Sequence, residues 1–290
     1  MTALITPTTT TPTARPRRRA VPRMFRSGEG IVGGVILLVI LAIAIFGPLL
    51  APYPLDRPVG IPGGAPTAGH PLGTDFLGRD VLSRVLYGGW SVIWVVTVTI
   101  VLTYLIGVFV GMASGLLHPF VGATTMRVID IIISFPALLL ILVLISGLGS
   151  QTWVLVLGMV LVLFPGVSRI VRTATMEVAT RSYIEAAWTR GERWTWVAAR
   201  EVFPNISHVV LADLGVRFSS AVILSASVNF LGLGTQPPAS NWGLLVAENR
   251  DYIGSNPWAV LVPAILLALL TVSVNLLSDA YVRSLGRSRI

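Results

Sequence analysis

Apolar residues fill long uncharged blocks of this chain, at 31–50, 88–117, 131–168 and 252–278, and the charge is confined mostly to what lies between them. A helix that crosses about 30 Å of hydrocarbon needs about 20 apolar residues. The first block therefore predicts a span at 31–50, and the second a span at 91–113. The third block is too long for one crossing, since a straight helix of that length would reach about 57 Å. It predicts two spans, 126–146 and 151–168, joined by a turn at Ser146-Gly147-Leu148-Gly149-Ser150. Spans at 208–230, despite Asp213 and Arg217, and at 258–278 bring the number to six.

The connecting segments are of several kinds. Residues 51–76 are rich in proline and glycine and read as an ordered loop. In 76–88, Val81 with Val85 and Leu82 with Leu86 fall at i,i+4, with Asp80 and Arg84 on another side, which predicts a short amphipathic helix lying at the interface. Gly107 and Gly111 form a small-xxx-small pair, a weak sign of close helix packing. Residues 231–257 are a Gly/Pro/Asn-rich loop, and Trp242 and Trp258 suit a membrane boundary. The chain thus divides into a basic tail (1–29), a first span with its external loop (30–90), a core (91–280) holding a polar loop at 169–207, and a short C-terminal tail (281–290).

Composition strengthens the membrane reading. Hydrophobic residues make up 54% of the chain and charged residues 12%, against about 25% charged in an ordinary soluble domain. Cysteine is absent, which excludes disulfides and thiolate chemistry, and every one of the 21 basic residues is arginine. Without lysine no P-loop can form, so if ATP drives this protein another chain hydrolyses it. The net charge of +8 reflects topology rather than nucleic-acid binding, because its excess flanks the apolar spans. With the N-terminus inside, cytoplasmic segments carry 16 arginines and external segments four, Arg57, Arg79, Arg84 and Arg250. Both termini are expected in the cytoplasm. The first apolar block is longer than a signal-peptide core and is read as retained, and the tail before it as disordered along anionic head groups.

The loop at 169–207 is the most polar part of the interior. Residues 181–190 favour a helix, Gly191 can end it in a left-handed cap, and a second short helix can run toward Pro204. Ala186 and Ala187 would let another surface approach closely beside Glu185. Such an elbow between two spans suits force transmission, although composition alone also fits a plain cytoplasmic loop. Trp188, Trp194 and Trp196 either offer a bed for a partner or pack back on the bundle, and the rigidity a lever needs favours packing.

Glu185-Ala186-Ala187, three residues, Gly191, and a segment ending in Phe203-Pro204 resemble the EAA loop of binding-protein-dependent ABC importer permeases. The stretch from His70 to Arg84, HPLGTDFLGRDVLSR, together with Asn229 to Pro238 and Asn241-Trp242-Gly243, is similar to the DppC/OppC group of dipeptide, oligopeptide and nickel permeases. Phe203 replaces a usual Leu, Glu201 stands where Ile is frequent, Ser225 where an acid is frequent, and Glu192-Arg193 follow the glycine instead of Ala-Ser. The resemblance covers about 23–286. It implies an all-α, six-span, MetI-like type I permease fold in a bacterial or archaeal cell membrane. It also implies a homologous second permease, two ATPase subunits or one fused ATPase, and an external solute-binding protein. Glu185, Ala186, Ala187, Gly191 and Pro204 would couple to the ATPase. ATP and Mg2+ would sit in that partner, with no cofactor and no catalytic residue in this chain. Small peptides are the expected cargo, with nickel complexes, glutathione-like peptides and haem left open.

Charges within spans are expected to be paired or snorkelled, because an unpaired ion there costs several kcal/mol (about 2.5–3.5 on insertion scales). Asp213 with Arg217, at i,i+4, and Arg127 with Asp130, at i,i+3, are the expected pairs, with gating as a further role. An ion-driven secondary carrier would use such charges in a relay, but it has no reason for the elbow and would show inverted repeats. A non-transporting scaffold would keep the spans and lose the coupling. Pro136, Pro165 and Pro263 are candidate kinks, while His70, His118 and His208 are scattered and suggest no metal site.

Overall fold

The computed structural model describes residues 27–286, so the expectations for the basic tail, and for Arg287 and Arg289, lie outside the described residues. The described chain is built from α1 (Gly28–Leu50), α2 (Val81–Leu116), α3 (Pro119–Ile133), α4 (Ala137–Leu148), α5 (Thr152–Ala179), α6 (Ser182–Thr189), α7 (Trp194–Trp196), α8 (Phe203–Phe230), α9 (Trp242–Asn249) and α10 (Trp258–Gly286). Four of these, α1, α2, α5 and α10, are long and apolar enough to cross a membrane, as is the continuous rod from Trp194 to Phe230. The pair α3 and α4, bent by 83°, is long and apolar enough together to make a sixth, broken span.

That bend corrects the straight span expected at 126–146. Proline has no N–H to donate and disfavours helical backbone in the residue before it. At the break, Ser134 closes α3 by donating both its N–H (3.1 Å) and its hydroxyl (2.8 Å) to the carbonyl of Asp130, and α4 restarts after Pro136.

The interfacial helix expected at 76–88 is also corrected. Asp80 caps α2, accepting from the Ser83 N–H at 2.8 Å, and from Val81 the helix runs unbroken for 36 residues. Val81 and Val85 are buried in the bundle, and so are Asp80 and Arg84, which the pattern had placed on a polar face. Periodicity reported a helix with two unlike faces. It could not report that protein covers both.

The second elbow helix is not a separate piece either. From Trp194 the chain passes through a π-helical turn, Val197–Val202, directly into α8. Pro204 cannot donate to a carbonyl one turn back, and a wider turn just before it relieves the mismatch without ending the helix.

The tightest seam joins α2 to α5. Gly107, Gly111 and Gly115 recur every four residues on α2 and face Val167, Val171 and Thr175, which recur every four residues on α5. A methyl group at Gly107 would lie 2.7 Å from Val167 Cγ1, and one at Gly111 would lie 2.6 Å from Val171 Cβ. In lipid, where no hydrophobic effect pushes helices together, such close backbone approach is what makes van der Waals packing sufficient. Elsewhere Glu29 of α1 and Arg283 of α10 form an ion pair, so the first and last spans meet at one end of the bundle.

Candidate functional site

Three polar assemblies stand along the bundle. The first is the elbow. α6 ends in a left-handed glycine, Gly191 at φ +78°, and no atom lies within 4 Å of where its Cβ would be. The backbone angle, not crowding, is what requires glycine here. The Gly191 N–H donates to the Trp188 carbonyl (2.9 Å) and the Glu192 N–H to the Ala187 carbonyl (3.3 Å), the two bonds of a Schellman cap.

Ile184 and Ala187, three apart, are fully buried against Val197, Val202, Ile206 and Val210. Glu185 and Ala186 point away and are exposed. This corrects the reading of the two alanines as one outward pair: neighbours on a helix lie about 100° apart. Ala187 seats α6 on its own bundle, and of the three motif residues Glu185 and Ala186 remain on the exposed side. Pro204 lies beyond the π turn, exposed at the start of α8 and apart from α6. Among the tryptophans, Trp194 packs on Phe109 of α2 (ring centroids 5.8 Å apart), Trp196 packs against the elbow core, and Trp188 stays exposed.

The second assembly lies within the membrane. Arg217 Nε donates to Asp213 Oδ2 at 3.1 Å, the expected pair, and the hydroxyl of Tyr104 donates to the same oxygen at 2.9 Å. The guanidinium rests on Gly166, where a methyl would come to 2.5 Å of Arg217 Nη1. One ion pair thus ties α2, α5 and α8 together. Tyr104 was not anticipated, since nothing in the local pattern marks it as a partner. The other expected pair does not form: Asp130 binds Arg169 of α5, and Arg127 enters no ion pair among the described residues.

The third assembly, missed as a site, is at the opposite end of the bundle from the elbow. Asp75, fully buried, accepts at Oδ1 from the N–H groups of Leu77 (2.9 Å) and Arg79 (2.8 Å). At Oδ2 it accepts from Arg79 Nε and Arg84 Nη1, both at 2.7 Å. Arg84 Nη1 also reaches Glu248 Oε2 of α9 at 2.6 Å. Around this core, His70 Nδ1 meets Asp80 Oδ1 (3.1 Å), the Phe76 N–H donates to Asn249 Oδ1 (3.0 Å), and Trp242 Nε1 donates to the Val85 carbonyl (2.9 Å). The run from His70 to Arg84 is therefore a buried clasp holding loop 51–80 to α9. Its available signal was the density of charge, Asp75, Arg79, Asp80 and Arg84, where the expected loop passes into the expected amphipathic helix.

α9 in turn helps line an apolar cavity of about 480 Å³ at that end of the bundle, with Gly243 and Val246 facing Ala226 and Phe230 of α8 and Leu138 of α4. Five spans and a sixth, bent candidate, with a capped elbow at one end and a clasped helix at the other, make this a polytopic membrane protein. The chain belongs to the binding-protein-dependent transport system inner membrane component family, whose model matches residues 104–287. Residues 16–61 match the N-terminal TM domain of oligopeptide transport permease C.

Among curated relatives, the di/tripeptide transport system permease protein DppC of Pseudomonas aeruginosa (strain UCBPP-PA14) is 32% identical over 265 residues, 88% of this chain and 87% of the relative. The probable D,D-dipeptide transport system permease protein DdpC of Escherichia coli (strain K12) is 33% identical over 256 residues, covering 86% and 84%. A chain of the inward-facing MetNI methionine ABC transporter superposes with a TM-score of 0.58 at 20% identity, over 69% of this chain and 95% of its own, a likeness of fold. The chain is a multi-pass inner-membrane transport permease of the ABC importer class, and such a permease works with ATPase and solute-binding components.

Proposed function

We propose that this chain is one of two homologous permease subunits of a peptide importer, with dipeptides or oligopeptides as cargo. The elbow and both termini face the cytoplasm, and α6 docks in a groove of the ATPase through Glu185 and Ala186. ATP and Mg2+ are bound by the ATPase components, either two subunits or one fused chain, and an external solute-binding protein delivers the peptide. The peptide assignment draws on the relatives, which are named as di/tripeptide and D,D-dipeptide permeases.

The observation that carries the coupling role is the build of the elbow. α6 is pinned by Ile184 and Ala187, stopped by a Schellman cap, and joined by the short turn at 190–193 to a single rod, π turn included, that runs from Trp194 to Phe230. A push on Glu185 and Ala186 is thereby delivered to α8 as a rigid displacement. ATP then shifts the gate by binding one conformation more tightly than the other. The test is uptake of labelled peptide into vesicles holding the whole complex, with and without its binding protein. Peptide uptake that needs both ATP and binding protein supports the reading, and uptake of sugar but not peptide overturns it.

A further inference from the structure

A second, almost wholly apolar groove of about 530 Å³ runs between α2 and the elbow half of α8, with Tyr104 the one lining residue that carries a polar side-chain group. Its walls are Val101, Leu105, Phe109 and Met112 on one side and Phe203 and Leu214 on the other. From Val101 to Met112 the helix rises about 16 Å, close to half of the roughly 30 Å hydrocarbon core. The groove is thus as long as one leaflet, and it begins at the elbow.

Its elbow end has a particular chemistry. Phe109, in the groove wall, carries the ring of Trp194, an aromatic pair of the kind found at head-group level. Arg193 precedes Trp194, and Arg200 follows the groove residue Ala199. Both arginines are exposed, and neither side chain forms an ion pair or hydrogen bond among the described residues. Other arginines of this loop region have carboxylate partners, Arg190 with Glu192, Arg181 with Glu177 and Arg169 with Asp130, while Arg127 on α3 has no ion pair among the described residues and does not line the groove. Two unpaired arginines, one next in sequence to the groove residue Ala199 and one next to the Trp194 that packs on Phe109, beside a leaflet-length apolar channel complement one ligand class, a chain bearing a phosphate.

We propose that this groove binds an anionic phospholipid, an acyl chain between α2 and α8 and the phosphate on Arg193 and Arg200. Because the groove is shared by α2 and the π turn that launches α8, a bound lipid braces the elbow against the bundle. Naming the leaflet as cytoplasmic rests on the orientation proposed above, whereas the site itself does not.

The test uses the whole complex reconstituted in phosphatidylcholine nanodiscs with photoreactive probes, acyl-chain diazirine phosphatidylglycerol or the matching phosphatidylcholine. Two surface arginines favour an anionic head group strongly enough that phosphatidylglycerol should label the peptides containing Leu105, Met112 and Phe203 on the order of tenfold more than phosphatidylcholine. Arg193→Gln with Arg200→Gln should reduce that ratio to near unity, and Arg193→Lys with Arg200→Lys should largely keep it. Should the glutamine variant fail to assemble, salt titration of the wild-type complex supplies the second measure, since a head-group contact at the surface is screened. Equal labelling by both probes would overturn the proposal, leaving an ordinary lipid-wetted surface. So would absence of labelling by either, the result expected if a helix of the second permease fills the groove. Impermeant labelling of Thr67→Cys in vesicles reports orientation separately: a reversed chain changes the leaflet and leaves the probe preference intact.

Discussion

Arg84 on α2 and Glu248 on α9, 164 residues apart in the chain, share a 2.6 Å bond inside the clasp, where Arg84 is fully buried. Removing one partner of a buried ion pair leaves the other charge uncompensated, at about 3–5 kcal/mol. Asp75 accepts four bonds and Glu248 one hydrogen bond, so the cost should be graded. Asp75→Asn and Arg84→Ala should lower thermal stability of the purified complex by several degrees, and Glu248→Gln by less. Equal midpoints for all three and the wild type would mean that the clasp contributes nothing.

At the elbow cap, the backbone angle of Gly191 sets the order of substitutions. A left-handed residue other than glycine costs about 1–2 kcal/mol, and asparagine is the better tolerated. A β-branched side chain adds χ1 restriction. Gly191→Val should uncouple peptide-stimulated ATP turnover from uptake at equal subunit content, Gly191→Ala should do so less, and Gly191→Asn should stay near wild type. Normal uptake in Gly191→Val would remove the cap from the mechanism.

Ala186 and Ala187 should answer oppositely to enlargement. Ala187→Leu overpacks the seat of α6 and should destabilise the chain by about 1–3 kcal/mol. Ala186→Leu, on the exposed side, should leave the chain's own melting unchanged and weaken co-purification with the ATPase. Glu185→Arg should resemble Ala186→Leu. If Ala186→Leu lowers stability as much as Ala187→Leu does, the faces have been misassigned.

The α2–α5 seam offers a test independent of any partner. Gly111→Leu would drive a side chain into Val171 and the neighbouring backbone and should abolish folded protein in the membrane fraction. Leu105→Ala, on the exposed face of the same helix, should be tolerated. Similar yields for both would contradict the seam.

Topology can be checked in a chain that has no cysteine of its own. Thr67→Cys and Arg283→Cys should react with impermeant reagent from opposite sides of the membrane. Reaction of both from one side would sink the orientation, and with it the cytoplasmic elbow.

The five unbroken spans, the elbow helix and its glycine cap were all legible in the sequence, because each rests on a local cause. Twenty consecutive apolar side chains need hydrocarbon wherever they sit, and Gly191 permits a left-handed angle whatever surrounds it. The Asp213–Arg217 pair was legible for the same reason, since one turn of helix brings the two together. What the sequence left undecided is whatever depends on which surfaces meet. Asp80 and Arg84 look like a wet helix face until loop 51–80 and α9 close over them. Ala186 and Ala187 look equivalent until the elbow core takes one of them, and Asp130 chooses Arg169 over nearby Arg127 because α5 passes beside α3. Pro136 marks a break but not its 83°. Periodicity states that a helix has two faces; only the packed bundle states what lies against each, because burial and charge pairing are set by distances between segments far apart in the chain.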